Sequence, residues 1–131
     1  MDELREDYID KVVDAAKYSE GKFRHAALCL DNRGHIIATA TNSAKTHPQQ
    51  AEYAKRVGKP QKISLHAELA ALVRAKADVH TLIVCRINRT SDLRLSRPCP
   101  VCMLAMQEAG VQEIWFSTNS GFRRLGDDDK P

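Results

Sequence analysis

Long hydrophobic runs are missing from this 131-residue chain. Residues 1–10 are acidic, and no apolar stretch follows that would serve as a signal peptide or cross a bilayer. The expectation is a soluble, cytoplasmic protein with no membrane partner. Charge of one sign is also scarce: 20 Lys and Arg against 17 Asp and Glu leave a formal +3, too little by itself to mark a nucleic-acid binder. Aromatic residues make up 5% of the chain, which leaves few platforms for stacking the bases of a strand. There is no internal repeat and no low-complexity tract. The four cysteines, at positions 29, 85, 99 and 102, do not read as a disulfide framework. Two lie in apolar runs, and two form a Cys-x-x-Cys pair, which in a reducing compartment points to metal or redox chemistry.

What remains is enough for one compact domain over residues 1–131, with a hydrophobic share of 43% to build a core. Leu4, Tyr8, Ile9, Val12, Val13 and Ala16 recur at helical spacing, acidic residues lead and Gly21 follows, so residues 2–19 read as an amphipathic helix. Residues 24–30 and 35–40 flank Asp31-Asn32-Arg33-Gly34 and read as a β-hairpin. Residues 41–64 form a long polar stretch containing Pro48, Gly58 and Pro60, with a helical turn or two over 49–57; a loop of that length in a small domain is usually functional. Helices follow at 66–77 and at 98–109, the latter stopped by Gly110, and strands at 80–87 and 111–117. Residues 119–131 read as a flexible, solvated tail. Alternation of this kind is that of an α/β domain with helices on a central sheet.

Two short motifs carry chemistry: His66-Ala67-Glu68 and Pro98-Cys99-Pro100-Val101-Cys102. A catalytic zinc site uses three protein ligands and leaves the fourth position to water or hydroxide; His66, Cys99 and Cys102 supply three. The spacing of the cysteines puts both sulfurs at the first turn of a helix, where unpaired N–H groups and the dipole favour thiolate, and Pro98 suits such a start. Residues two apart on a helix point about 200° away from each other. Glu68 therefore shares the metal's surroundings only if His66 sits at or just before the first turn. A carboxylate there is placed to move protons between water, a ring nitrogen and a departing amine. A purely structural zinc site would close with a fourth Cys or His. Cys29 and Cys85 read as core packing residues, which leaves His47 as the one competitor for that place. His25, His35 and His80 flank strands and read as surface or edge residues.

In motif, and in the order of its elements from residue 24 to 117, the chain resembles the cytidine and deoxycytidylate deaminase superfamily, whose zinc members carry His-x-Glu with Pro-Cys-x-x-Cys. The resemblance implies a three-layer α/β/α fold with a central mixed sheet of four or five strands, one catalytic Zn2+ held by His66, Cys99 and Cys102, Glu68 as the catalytic acid and base, and a homo-oligomer. With histidine as first ligand the chain is similar to the deoxycytidylate, tRNA-adenosine and guanine deaminase branches; the small free-cytidine enzymes use cysteine there. Asn42 matches in position the Asn that helps hold substrate in those branches, although Asn also commonly ends a strand. Ala67, Arg97 and Pro98, beside the ligands, complete the expected substrate-binding set. Two features depart from these branches. Little chain follows residue 118, where 122–125 has room for a short fifth strand but not for a helix and strand, and the insert 43–64 is not explained by the motif.

The insert carries Lys45, Lys55, Arg56, Lys59 and Lys62, and the segment before the second ligand helix carries Arg86, Arg89, Arg94 and Arg97. Such cations suit a nucleotide's phosphate or a strand's backbone, or simply a solvated loop. The first functional reading is a hydrolase converting a free cytosine nucleotide or nucleoside, deoxycytidylate before others, with release of ammonia. The alternative is a polynucleotide deaminase acting on tRNA adenosine or single-stranded DNA cytosine, for which Tyr53, Trp115 and Phe122 are the few aromatics on offer. A guanine deaminase and a non-catalytic zinc module stand behind these, and Glu68 argues against the module.

Overall fold

A computed structural model describes residues 3–19, 23–59 and 64–126. Gly21, Pro60, Lys62 and the acidic stretch within 127–131 lie outside the described residues. The first helix, α1 (Glu6–Lys17), has Glu6 and Asp7 in its first turn and Lys17 in its last, the arrangement that the helix dipole favours. Its buried residues Tyr8, Val12 and Ala16 are four apart, so one narrow stripe meets the sheet. Strands β1 (Arg24–Leu30) and β2 (Ile36–Thr41) form the hairpin. Its turn is held by Asp31 Oδ1, which accepts the N–H groups of Arg33 and His35, each at 2.9 Å. Gly34 has φ 84°, and Tyr8 Oη donates to its carbonyl at 2.6 Å. A side chain at position 34 would meet that hydroxyl at 2.8 Å, so the turn requires glycine twice over.

The insert contains a nine-residue helix, α2 (Pro48–Arg56), longer than the turn or two expected. His47 is its N-cap: Nδ1 accepts the Gln49 N–H at 3.1 Å, and Pro48 stands first in the helix. Helix α3 (Ala67–Arg74) stops earlier than its sequence pattern suggests, with Ala75 extended. Strand β3 (Thr81–Ile87) is followed by β4 (Leu93–Arg94), α4 (Pro100–Glu108), β5 (Glu113–Thr118) and β6 (Gly121–Arg124). Helix α4 begins at Pro100, with Cys99 as N-cap. The expected start at Pro98 is corrected, because Pro100 is the proline that occupies the first helical position, where no N–H is needed.

The sheet runs in the order β2-β1-β3-β5-β6, with β4 pairing β3. Strands β3 and β5 are parallel, joined through α4, and the other pairings among the described residues are antiparallel. Four or five strands were expected, and the sheet has six among the described residues. The extra one, β4, is two residues long and takes its identity from Arg86 and Ile87 opposite. Within the stretch read as a tail from 119, where 122–125 had room for a short fifth strand, Gly121–Arg124 pairs with β5 and Leu125 is buried against the core.

Two apolar layers result. On one face, α1 packs with Ala26, Leu28, Leu30, Ile83, Cys85, Ile87 and Trp115. On the other, α3 and α4 pack with Ala27, Cys29, Leu82, Val84 and Phe116. The alternation along β1 and β3 is the period-two pattern of a sheet covered on both sides. The architecture is three-layer α/β/α. Cys29 and Cys85 belong to these cores, and burial pushes each thiol up to about 12. Among the described residues, no helix is long and apolar enough to cross a membrane.

Candidate metal and active site

The two motifs meet at the edge of the sheet where β2 and β3 end and β1 begins. His66 is the N-cap of α3, with φ −80° and ψ 154°. Its backbone is thus not yet helical, and Glu68 is the second residue of the helix, which is how both side chains reach one place. Cys99 caps α4 in the same way, with φ −75° and ψ 165°, and Cys102 lies one turn in.

The ligand atoms of His66, Cys99 and Cys102 all lie within 4.8 Å of one another. His66 Nδ1 is 3.5 Å from Cys99 Sγ and 3.3 Å from Cys102 Sγ. A tetrahedral zinc with Zn–S of about 2.3 Å and Zn–N of about 2.1 Å holds sulfur and nitrogen about 3.6 Å apart. The three residues therefore fit zinc with little adjustment, and the softness of the donors agrees. Electrostatics point the same way. The hydrogen bond from Cys102 favours the Cys99 thiolate, while the same contact, burial and the Glu68 carboxylate push the Cys102 thiol up. A dication relieves that conflict by accepting both thiolates.

Glu68 is 5% exposed, and burial pushes its carboxyl above the ordinary range. It lines a cavity of ≈ 270 Å³ together with His66, Ala67, Cys99, Asn42, Arg97, His25 and Phe23. At that volume the cavity stands near the lower end of small-molecule pockets, which run from about 300 to about 1,000 Å³.

Of the expected substrate residues, Asn42, Ala67 and Arg97 line this cavity. Asn42 is also heavily engaged in holding the strand ends: Oδ1 accepts from Ser19 Oγ at 2.6 Å and from the His25 N–H at 3.2 Å, and Nδ2 donates to the Phe23 carbonyl at 2.8 Å. Pro98 is buried and does not line the cavity. His47 is outside the ligand group, occupied in capping α2.

Three features were missed from sequence. His25 was read as a surface or edge residue, but it faces the cavity. Burial, with a further contribution from Arg86, pushes its imidazole down to about 4. Gln50, inside the insert, is fully buried, and its Oε1 accepts the His66 N–H at 3.2 Å. Its Nε2 has no hydrogen-bond partner among the described residues. Finally, Ser96 Oγ donates to the Val84 carbonyl and accepts the Ser117 N–H at 2.8 Å, while Ser117 Oγ accepts the Arg86 N–H at 2.9 Å. This knot ties the segment before Cys99 to β3 and β5. Nothing in a single sequence marks a polar residue as buried; the one available signal for Gln50 was the unusual length of its loop.

The insert thus acquires a structural role. Ser43 N–H bonds the Leu65 carbonyl at 2.9 Å, Leu65 N–H bonds the Lys45 carbonyl at 3.0 Å, and Thr46 bridges Ser64. Arg56 pairs with Glu108 of α4. Both ligand-bearing helices are therefore braced by residues within 43–59 and 64–65.

The family model described as the cytidine and deoxycytidylate deaminase zinc-binding region matches residues 2–118. No curated protein sequence matches the chain significantly. The fold is similar to that of cytidine deaminase from Mycobacterium leprae, at 18% identity and TM-score 0.59, covering 93% of this chain and 94% of that one. It is similar to cytidine deaminase from Mycobacterium tuberculosis at 19% identity and TM-score 0.58, covering 95% and 94%. It is also similar to dCMP deaminase from the cyanophage S-TIM5 in apo form, at 18% identity and TM-score 0.54, covering 86% and 84%. At these identities the likeness establishes the fold.

Proposed function

We propose a substrate and residue roles from one premise: the chain belongs to the cytidine and deoxycytidylate deaminase family. Its activity class is hydrolytic deamination of a cytosine compound, and deoxycytidylate is the proposed substrate. The observation that carries the residue roles is a buried carboxylate, Glu68, in one cavity with a His-Cys-Cys group of zinc-ligand spacing.

His66, Cys99 and Cys102 would hold one zinc ion. When bound, the metal supplies the Lewis acidity that makes water nucleophilic near neutral pH. In the net reaction a water oxygen joins C4 of the ring, the C4–N4 bond breaks, and deoxyuridylate and ammonia leave. Glu68 takes a proton from the attacking water and delivers it to N3, then carries the second proton to the departing amine. Its burial suits both halves of that task, because a carboxyl raised above its ordinary range is a stronger base toward water and keeps the proton for delivery. Ala67, buried beside the ligands, closes the wall against the ring. Arg97 at the mouth offers the fork that suits a 5′-phosphate, and Asn42 fixes the backbone on which the rim is built. The exposed apolar side chains of Tyr18, Phe23, Val73 and Leu95 supply contact area for a homo-oligomer, which sedimentation of the zinc-loaded protein tests.

A second reading, a base carried in a strand, has one observation in its favour. An open groove of ≈ 660 Å³, lined by Tyr18, Lys45 and Arg74, shares Asn42, Ser43 and Leu65 with the site cavity. The deciding experiment follows ultraviolet absorbance and ammonia release from deoxycytidylate, deoxycytidine, cytidine, guanine, adenosine and single-stranded DNA. Turnover of deoxycytidylate is expected; turnover of the polymer alone overturns the choice of substrate.

A further inference from the structure

The Cys-x-x-Cys pair is suited to a second chemistry beside metal binding. Cys99 and Cys102 stand at the start of α4, which crosses between the parallel strands β3 and β5, a setting in which such a pair also serves dithiol–disulfide exchange. Cys99 is the N-cap, Pro100 the first helical residue and Cys102 the third. Positions three apart at a helix start are neighbours on one face. The two side chains are already within hydrogen-bonding distance of each other, and the ligand atoms of the site lie within 4.8 Å of one another. A disulfide between them therefore closes by movement of the sulfurs, with the fold around them kept. Exposure divides the pair. Cys99 is half-buried and lines the open cavity, whereas Cys102, one turn along, is 1% exposed. Exchange needs that division, because the reachable sulfur attacks an incoming disulfide and the hidden one resolves the mixed disulfide that forms. Cys29 and Cys85 are fully buried in the core layers on opposite faces of the sheet, so neither competes for these sulfurs.

We propose that Cys99 and Cys102 form a reversible disulfide whenever zinc leaves the site, with a low-molecular-weight disulfide such as oxidised glutathione as the oxidant, so that thiol redox state sets whether the site can hold its metal. The inference rests on the zinc reading of His66, Cys99 and Cys102 and goes beyond the deaminase activity. In the first step the Cys99 thiolate attacks one sulfur of the oxidant; a mixed disulfide forms, the oxidant's S–S bond breaks, and one thiolate leaves. In the second step the Cys102 thiolate attacks the Cys99 sulfur, the intramolecular bond forms, and the second thiolate leaves. Two protein thiols are oxidised to one disulfide, one small disulfide is reduced to two thiols, and the protons given up by Cys99 and Cys102 end on those two. The product has lost two of the three ligands, and His66 alone does not make a zinc site. Because the metal also needs both cysteines as thiolates, zinc and oxidant compete for the same pair of sulfurs.

The test treats the zinc-loaded protein with oxidised glutathione, follows released zinc with a chromogenic chelator, and quenches samples for alkylation, intact mass and peptide mapping. The expected result is loss of two of the four alkylable thiols, a peptide linking Cys99 to Cys102, and one zinc released per link. A thiol reductant restores both thiols and zinc binding. Raising free zinc tenfold slows the oxidation by about tenfold, since exchange draws on the zinc-free form. Cys102→Ser stops with one glutathione on Cys99, and Cys99→Ser takes up none at Cys102; where either variant fails to fold by its thermal midpoint, the zinc dependence of the unmodified protein carries the test. Oxidation that falls on Cys29 or Cys85, that links two chains, or that leaves glutathione on Cys99 of the unmodified protein overturns the proposal. A rate indifferent to free zinc overturns the competition between metal and oxidant. Failure of the fully reduced protein to bind zinc overturns the zinc reading and this coupling with it.

Discussion

Replacing Gln50 by methionine separates two consequences that most buried substitutions mix. Gln50 is 0% exposed, its Oε1 holds the N–H of the ligand residue His66 at 3.2 Å, and its Nε2 has no partner among the described residues. Methionine has a similar length and fills the same space, so no large cavity opens. Loss of the oxygen leaves the His66 N–H unsatisfied, at about 1–3 kcal/mol, and loss of the orphaned Nε2 returns about the same amount. The metal-free protein should therefore change in stability by less than about 1 kcal/mol, whereas Gln50→Ala, which also leaves a void, should lose about 2–5 kcal/mol. Zinc affinity should respond otherwise. With the first ligand no longer held at its backbone, it should fall by about 10- to 100-fold, the usual effect of removing a group that orients a metal ligand. Gln50→Glu, which retains an acceptor, should keep most of the affinity. Urea unfolding of the metal-free protein and competition with a zinc chelator measure the two quantities separately. A loss above about 3 kcal/mol for Gln50→Met would mean that Nε2 has a partner, such as a buried water. Unchanged zinc affinity would mean that the bond to His66 does not position the ligand.

Other outcomes follow from the same geometry. Ser117→Ala strips the buried Arg86 N–H of its acceptor and loosens the knot before Cys99, so urea unfolding should show a loss of about 1–3 kcal/mol. Arg56→Met removes half of a pair whose side chains are 43% and 40% exposed, and its urea midpoint should be indistinguishable from that of the unmodified protein. The folded value of His25, about 4, lies below the value of about 6.5 in an unfolded chain. The unfolded state therefore binds the proton first, and stability should fall as pH drops from about 6.5 to about 4, then level off. Metal-free His25→Leu, followed by thermal midpoint against pH, should lack that part of the slope; parallel curves would show that His25 is not buried neutral.

The site itself was legible because its geometry is local. His-x-Glu and Cys-x-x-Cys at helix starts fix which side chains share a turn, and the dipole and capping rules say which backbone states those positions adopt. The hairpin and the core strands β1 and β3 were legible for a similar reason, since short apolar runs and an Asp-Asn-Arg-Gly turn are short-range signals. What escaped the sequence depends on partners distant along the chain. Strand β4 exists only because Arg86 and Ile87 face it. Two prolines bracket Cys99, and choosing Pro100 over Pro98 as the helix start needed the backbone. The engagement of Asn42 with Ser19, Phe23 and His25 across 17–23 residues is a tertiary fact. His25 and Gln50 became visible only once strand and insert were folded against α3.

The central claim is that Glu68 performs the proton transfers of a zinc deaminase without holding the metal. Glu68→Gln, isosteric and uncharged, should bind one equivalent of zinc per chain by metal analysis and lose deoxycytidylate turnover by about 100-fold or more. Near-full turnover in Glu68→Gln, or loss of its zinc, would contradict the account.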